Sequence, residues 1–467
     1  MARLFQRIRE AAIDGRTQNV YYRQSQLERL RDVLVQNEEA LQQAIVKDSG
    51  NSVTEAKIEY SLALLALKDQ YASLNPAAAL EEEYAISHGK DAPQRTEGAG
   101  IVNIVPTAYT LLYSVITPLC AAIAAGNCVI LELEQTPRDL PSLLRKLLGA
   151  ALDVDTFEIA PSRAADPEFR AQCIEVLQEG SQDVPKYTQL VSPSQARVVA
   201  VVDRTANLEE AAKALVTARF SFGGKSPYAP DVVLVNEFAK KEFMTAVVKE
   251  SIDFLTTENG SVEKGADLAR IVTSGANGAI LDVEKRDSDI LQRKINECCL
   301  AVHSVKSLDD AIDFANRNGD LLASYTFATP AAAKYLSQFL HSYVSFVNHV
   351  PMEMLVGPAA PLNHPVSPST RYPASLFAVP RPQYVTPSPR SALIKQTLPN
   401  ASSVALTQLL EEARADLPID KKRPERVAVG FFEQGIITGL SFVLVSTLAG
   451  LGTLGYFGTR MVRTRFL

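Results

Sequence analysis

Hydrophobic positions recur at helical spacing over residues 20–46, where Leu27, Leu30, Leu34, Leu41 and Ile45 share a face, and the pattern predicts a helix there. Residues 53–70 predict a second helix, and a polar stretch at 81–98 then breaks the pattern. Short β-like runs follow at Ile101–Val105 and Cys128–Leu133, with a small-residue helix at 115–126 between them that stops at Gly126. After a turn marked by Pro137 and Asp139, Leu140, Leu143, Leu144, Leu147, Leu148 and Ala151 define one helical face. Strand, helix, strand, helix in this order signals a parallel sheet covered by helices. A second such block starts near Arg197, with strands predicted at 198–202, 232–235 and 300–305 and helices at 208–218, 237–252 and 308–317. Residues 349–392 are rich in Pro and Ser and read as loops with one short strand near 376–379. Residues 393–433 form a polar connector with one amphipathic stretch at Leu406, Leu409, Leu410 and Ala413.

The last part of the chain has a different pattern. From Gln434 to Thr459 there is no Asp, Glu, Lys, Arg or His. As a helix, Ile436–Phe457 reaches roughly 33 Å, enough for a hydrocarbon core of about 30 Å. Lys421, Lys422, Arg423 and Arg426 precede the stretch and Arg460, Arg463 and Arg465 follow it, while Phe431, Phe432, Tyr456 and Phe457 stand near its edges as interfacial anchors do. Gly435 and Gly439 form a GxxxG pair, a weak signal for helix pairing. A transmembrane helix followed by a tail of residues 460–467 predicts a tail-anchored protein with its bulk in the cytosol. The charged N-terminal run Met1–Glu10 has no apolar segment and does not read as a signal peptide.

Composition narrows the class. The 467 residues make room for two or three domains, and 46% hydrophobic residues exclude a disordered chain. Lys and Arg number 47 against 53 Asp and Glu, and the resulting charge of −6 argues against nucleic acid as the main partner. Five scattered cysteines, Cys120, Cys128, Cys173, Cys298 and Cys299, fit a reducing compartment better than a disulfide scaffold. With no CxxC pair and no His-x-x-x-His spacing, a zinc site is not expected.

Particular strings then resemble a known family. Residues 8–45 hold Arg-Glu-Ala-Ala-Ile-Asp-Gly-Arg-Thr followed by Gln-Leu-Glu-Arg-Leu, and residues 116–131 read Ile-Thr-Pro-Leu-Cys-Ala-Ala-Ile-Ala-Ala-Gly-Asn-Cys-Val-Ile-Leu. Both resemble aldehyde dehydrogenases of the class 3 and fatty aldehyde branch. Asn207–Ala211, Tyr228–Asp231, Val305–Ile312 and Val344–Asn348 keep that family's order and spacing, so the resemblance runs over about residues 5–385. It implies an α/β fold with a Rossmann-like cofactor-type domain at 1–190 and a catalytic-type α/β domain at 191–385. A linker at 386–433, a transmembrane anchor at 434–459 and a basic tail at 460–467 complete the expected division. It also implies a dimer, and it favours the endoplasmic reticulum as the membrane that holds the anchor.

The chemistry of that family needs a thiolate nucleophile, a carboxylate to activate the deacylating water and an amide to hold the oxyanion. Counting back from Ala229-Pro230-Asp231 puts Pro227 at the position of the nucleophilic cysteine, with Ser226 one residue away. The general base maps to Pro193 and the oxyanion asparagine to Tyr109. Of the cofactor contacts, the lysine that reaches the adenosine ribose maps to Glu132, and the start of the pyrophosphate helix to Gly180-Ser181-Gln182-Asp183. The Glu-x-Phe that grips the nicotinamide ribose maps to Lys294 and Asn296. A carboxylate repels phosphate at such positions, against the logic of anion sites at helix N-termini. The chain therefore reads as a family member without the nucleophilic Cys and general-base Glu, with no NAD(P) expected unless the family activity survives.

Substitutes are few. Lys225, Ser226, Tyr228, Tyr109 and Tyr113 are candidates for a remodelled pocket or for ordinary filling of the old one. Cys298 and Cys299 are thiols on the cofactor-side loop or two small core residues, and Cys120 and Cys128 read as core. His349 beside Asn348 is either a base or a structural histidine. Three functions remain open. One is a membrane-anchored pseudoenzyme with a scaffold role, pairing with itself or a related aldehyde dehydrogenase. Another is an enzyme of changed chemistry acting on an apolar substrate, and the third is an active NAD(P)-dependent fatty aldehyde oxidoreductase.

Overall fold

The computed structural model describes residues 5–163, 166–180, 186–255, 270–275, 277–398, 403–417 and 431–466. They fall in two compact units, one of Met1–Thr329 with Leu336–Pro387 and one of Pro330–Tyr335 with Ser388–Leu467.

The first unit begins with helices α1 (Gln6–Asp14), α2 (Val20–Gln36), α3 (Glu38–Ser49), α4 (Val53–Ser73) and α5 (Pro76–Glu83). The predicted helix over 20–46 is two helices, because Asn37 at φ −114° breaks it. Its side-chain amide donates to Val33 O at 2.8 Å, the kind of local bond by which Asn competes with a helix backbone. At α4, Ser52 Oγ accepts from Glu55 N and the Glu55 carboxylate accepts from Ser52 N, a capping box that sets where the helix starts.

Strand β1 (Thr96–Gly98) lies in the polar stretch that breaks the helical pattern and pairs antiparallel with a strand near the far end of the unit. Then follow β2 (Ile101–Val105), α6 (Leu111–Ala124), β3 (Cys128–Glu132), α7 (Asp139–Ala151), β4 (Phe157–Ala160), α8 (Pro167–Ala171), β5 (Ile174–Gly180) and β6 (Gln189–Pro193). Strands β2 to β6 form an all-parallel sheet in the order β4-β3-β2-β5-β6. The order reverses between β2 and β5, so their carboxyl ends flank a topological switch point, the usual ligand crevice of such sheets.

The second sheet is built from β7 (Val198–Val202), β8 (Val232–Asn236), β9 (Arg270–Gly275), β10 (Gly278–Asp282), β11 (Cys299–Val305), β12 (Ala323–Phe327) and β13 (Ser345–Val347), in the order β13-β12-β7-β8-β11-β10-β9. All its pairings are parallel except β9 with β10. Helices α9 (Leu208–Phe220), α10 (Lys240–Leu255), α11 (Leu308–Asn316) and α12 (Pro330–Phe339) connect the strands, and β14 (Ala378–Pro380) is the partner of β1. The run Val198-Val199-Ala200-Val201-Val202 is buried on both faces, which is why it shows no alternation. Neither β12 nor β13 stood out in the sequence, since each is short and mixes Ser, Thr and aromatic residues.

The second unit holds two helices where the sequence suggested a polar connector, α13 (Pro389–Thr397) and α14 (Ser403–Arg414), and then α15 (Phe431–Phe466). Within α15, Gly435–Phe457 has a mean hydropathy of 1.8 and is long and apolar enough to cross a membrane. None of that window is buried against the rest of the chain, so it is not a core helix. Lys421, Lys422, Arg423 and Arg426 lie outside the described residues.

Candidate functional site

Four segments of the first unit meet around Tyr109: the β2–α6 loop, the loop from Phe222 to Tyr228, the Met354–Ala360 segment and the N-terminal half of α4. Tyr109 Oη donates to Leu355 O at 2.6 Å, so the phenol's proton is committed to a backbone carbonyl. Burial holds that phenol well above the usual tyrosine range, with the Ser226 hydroxyl beside it acting the other way. Ser226 Oγ in turn accepts from Tyr228 N at 3.2 Å. No base able to take its proton is among its hydrogen-bond partners in the described residues. Pro227 carries no nucleophile, and its carbonyl accepts from Lys294 Nζ at 2.6 Å.

The backbone here is held in unusual conformations. Thr110 and Phe222 are non-glycine residues with φ of 42° and 53°, in the left-handed region. Phe222 N donates to Glu55 Oε1 at 2.5 Å, and Thr110 Oγ1 accepts from Gly357 N at 2.9 Å. Gly357 has φ +90°, and a Cβ there would lie 2.4 Å from the Tyr113 ring. Arg371 locks the same segment, donating to the carbonyls of Pro358, Val356 and Met354 with its guanidinium 5.0 Å from the centre of the Tyr228 ring.

Beneath the Phe222–Tyr228 loop lies a buried ionic cluster. Asp231 and Arg219 are both 0% exposed, and Asp231 accepts from Val198 N at 2.7 Å, Ile295 N at 3.0 Å and Lys294 Nζ at 3.1 Å. Arg219 Nη1 stands 3.6 Å from the same carboxylate, and its Nη2 donates to the carbonyls of Ile295 and Glu297. Burial pushes the Lys294 amine below its usual range against the pull of Asp231. Lys294 is thus closed into the core, while Asn296, two residues on, is exposed.

The remaining candidates separate. Tyr228 is buried, with its hydroxyl accepting from Ala360 N at 3.0 Å and its carbonyl accepting from Tyr325 Oη at 2.9 Å. Lys225 stands exposed on the loop. The structure therefore brings Tyr109 and Ser226 together but leaves the phenol of Tyr228 engaged elsewhere. Cys298 is half-buried against Gly224, whose φ is +69° and whose added Cβ would lie 3.3 Å from Cys298 Cα. Burial raises the Cys298 thiol and pushes that of Cys299 up to about 11, the direction opposite to a reactive thiolate. Cys120 and Cys128 are buried, and burial pushes Cys128 up to about 12. His349 is exposed, its Nδ1 2.9 Å from Val347 O. A cavity of about 110 Å³ next to Tyr228, walled by Leu322, Tyr343, Leu362 and His364, is smaller than the roughly 300–1,000 Å³ of ligand pockets.

At the switch point of the five-stranded sheet, protein groups fill the crevice. Gln178 Oε1 accepts from Thr107 N at 3.0 Å, and Glu179 Oε1 accepts from Thr107 Oγ1 at 2.6 Å. Glu132, at the end of β3, accepts from Asn103 Nδ2 at 2.6 Å. The N-terminus of α6 is taken up by Glu59, which is buried and accepts from Leu112 N at 3.0 Å. Burial pushes Glu59 up to about 7, although its bonds to the backbone N–H groups of Tyr113 and Leu112 oppose the shift. Glu59, Glu179 and Gln178 were missed in the sequence; the available signal was a glutamate one turn past the capping box, on an otherwise apolar face.

One topological detail bears on a dinucleotide. Gly180 ends β5 and Gln189 begins the adjacent parallel strand β6, so residues 181–188 make the whole connection. Returning along a five-residue strand covers about 17 Å. An α-helix making that return takes about 11 residues, and parallel crossovers use a dozen or more. Gly180 itself is packed so closely that a Cβ would lie 2.1 Å from Val191 Cγ1. Ser181, Gln182 and Asp183 lie outside the described residues. Pro193 ends β6 and is buried. The carboxylates of Glu132 and Glu179 stand at or next to the ends of β3 and β5, and a carboxylate at such a place repels a phosphate.

A family model described as the aldehyde dehydrogenase family matches residues 3–160. Aldehyde dehydrogenase family 3 member B1 of Bos taurus is 26% identical over 374 residues, covering 69% of this chain and 77% of that protein. The chain is thus similar to the aldehyde dehydrogenase superfamily, on its class 3 side. The 4,4'-diaponeurosporen-aldehyde dehydrogenase of Staphylococcus aureus is 24% identical over 361 residues, covering 67% of this chain and 76% of that one. Among solved structures, Staphylococcus aureus AldH in a substrate-bound state superimposes with a TM-score of 0.65 at 20% identity, over 82% of this chain and 94% of that one, which shows the shared aldehyde dehydrogenase fold. Members of the family use NAD(P).

Proposed function

We propose that this chain is a membrane-anchored aldehyde dehydrogenase homologue that does not carry out NAD(P)-dependent aldehyde oxidation and acts as a scaffold or partner. The observation that carries this reading is the absence of side-chain chemistry at Pro227 and Pro193 together with the commitment of the Tyr109 phenol to Leu355 O. The eight-position connection from β5 to β6 and the carboxylates at the switch point support it from the cofactor side. The reading keeps the division into a cofactor-type half over 1–190 and a catalytic-type half over 191–385, with 434–459 as a tail anchor followed by a basic tail at 460–467. It places the bulk of the chain on the cytosolic face of the endoplasmic reticulum, as a dimer with itself or with a catalytic relative.

Calorimetric titration of the full chain in detergent with NAD and then NADP, alongside an assay of NADH production from a long-chain aldehyde, tests it. No heat up to millimolar cofactor and no NADH is the expected result. Micromolar binding, or turnover abolished by a thiol-alkylating reagent, overturns it and directs attention to Cys298.

A further inference from the structure

In α14, at 100° per residue, Ala405, Leu409, Ala413, Leu406 and Leu410 fall within an apolar arc of about 140°. Only one edge of that arc is covered. Ala405 is buried and Leu409 half-buried, whereas Leu406 and Leu410 are 39% and 41% exposed and Ala413 is exposed as well. Ile394 of the neighbouring α13 and Leu398 just past its end are exposed at 40% and 79%. Single exposed apolar residues are ordinary, but an uncovered helical arc in a helical hairpin is a contact surface.

We propose that the α13–α14 hairpin lies on the surface of the same bilayer that takes Gly435–Phe457, with Leu406 and Leu410 entering the acyl boundary. This rests on the anchored reading above. Residues 415–430 separate α14 from α15, a tether of sixteen. It spans at most about 55 Å fully extended. The tether therefore holds the arc near the bilayer at a high effective concentration. The hairpin's charges balance: Arg390 pairs with Glu412 at 2.8 Å, and Lys395 and Arg414 stand against Glu411 and Asp416. The contact is accordingly apolar and asks for no anionic lipid.

The chain contains no tryptophan, so Leu410→Trp introduces a unique fluorophore. The full chain would be reconstituted into phosphatidylcholine vesicles with and without acyl chains brominated near the headgroup. Phe442→Trp reports the anchor itself, and Gln408→Trp reports the polar side of α14. The expected result is blue-shifted emission from Leu410→Trp that loses most of its intensity to brominated lipid, with Gln408→Trp emitting as in water and unquenched. Leu406→Trp should repeat the Leu410→Trp behaviour. Leu410→Trp emission that is water-like, or blue-shifted yet unquenched because the arc packs on protein, overturns the proposal while a quenched Phe442→Trp leaves the anchor standing. An unquenched Phe442→Trp overturns the anchor and the proposal together.

Discussion

Two buried carboxylates, about one loop apart in the site, behave differently. Asp231 has two cations and two backbone N–H groups around it, and it ties the Phe222–Tyr228 loop, the strand start at Val198 and the segment at Ile295 into one rigid body. Among the described residues Glu59 has backbone N–H partners at the start of α6, and burial raises it to about 7. The first arrangement keeps the scaffold under the old nucleophile position. The second closes a helix N-terminus from within, so a protein carboxylate takes the place in which a sheet of this topology presents N–H groups to an anion. The scaffold under the loop is held by charge pairs, while at the start of α6 a protein carboxylate and backbone N–H groups satisfy one another.

The comparison can be broken at either carboxylate. The largest effect is expected from Asp231→Asn, which leaves Arg219 and Lys294 as buried cations without an anion. Loss of about 3–5 kcal/mol in urea unfolding is expected, and a loss below about 1 kcal/mol would mean that water or a relaxed loop compensates them. Glu59 comes next, and its sign is set by a folded pKa above the unfolded one. Its stabilising contribution is complete below the ordinary carboxylate range and is lost as pH rises through about 7. Unfolding free energy should therefore fall between about pH 5 and pH 8 by up to about 3 kcal/mol from this group alone. Glu59→Gln should flatten that slope while keeping an acceptor for Leu112 N, and an unchanged slope would show that Glu59 is not the titrating group. The smallest effect is Tyr109→Phe, which removes the bond to Leu355 O. About 1 kcal/mol of stability should be lost with the response to NAD unchanged, and a change in cofactor binding would mean that this phenol serves a ligand.

Much of the fold was legible because it rests on local repeats. Val198–Val202 shows as an unbroken apolar run, and Leu140 to Ala151 as a clean helical stripe. Asn37 was not legible as a break, because its effect depends on a single side-chain bond to Val33 O inside a continuous apolar pattern. Strands β5 and β6 were missed for a related reason: their residues alternate with Glu, Gln and Ser that find partners only across the sheet, as Gln178 does with Thr107 N and Ser114 O. At the site, the reading of Pro227 needed only the residue order around Ala229-Pro230-Asp231. The roles of Lys294 and Tyr228 needed the fold, since a lysine reads as a ligand contact until its amine is seen on Asp231.

The sequence by itself determined the parallel α/β class, the apolar span at Gly435–Phe457 and the residue types at each chemical position, because periodicity, length and composition are properties of neighbouring residues. Only the tertiary structure decided which polar groups satisfy one another: Glu59 with α6, Glu179 with Thr107, Asp231 with Lys294. A buried polar group must find its partner wherever the packed chain brings one, and that distance in sequence, 72 residues for Glu179 and Thr107 and 63 for Lys294 and Asp231, leaves no mark on the local pattern.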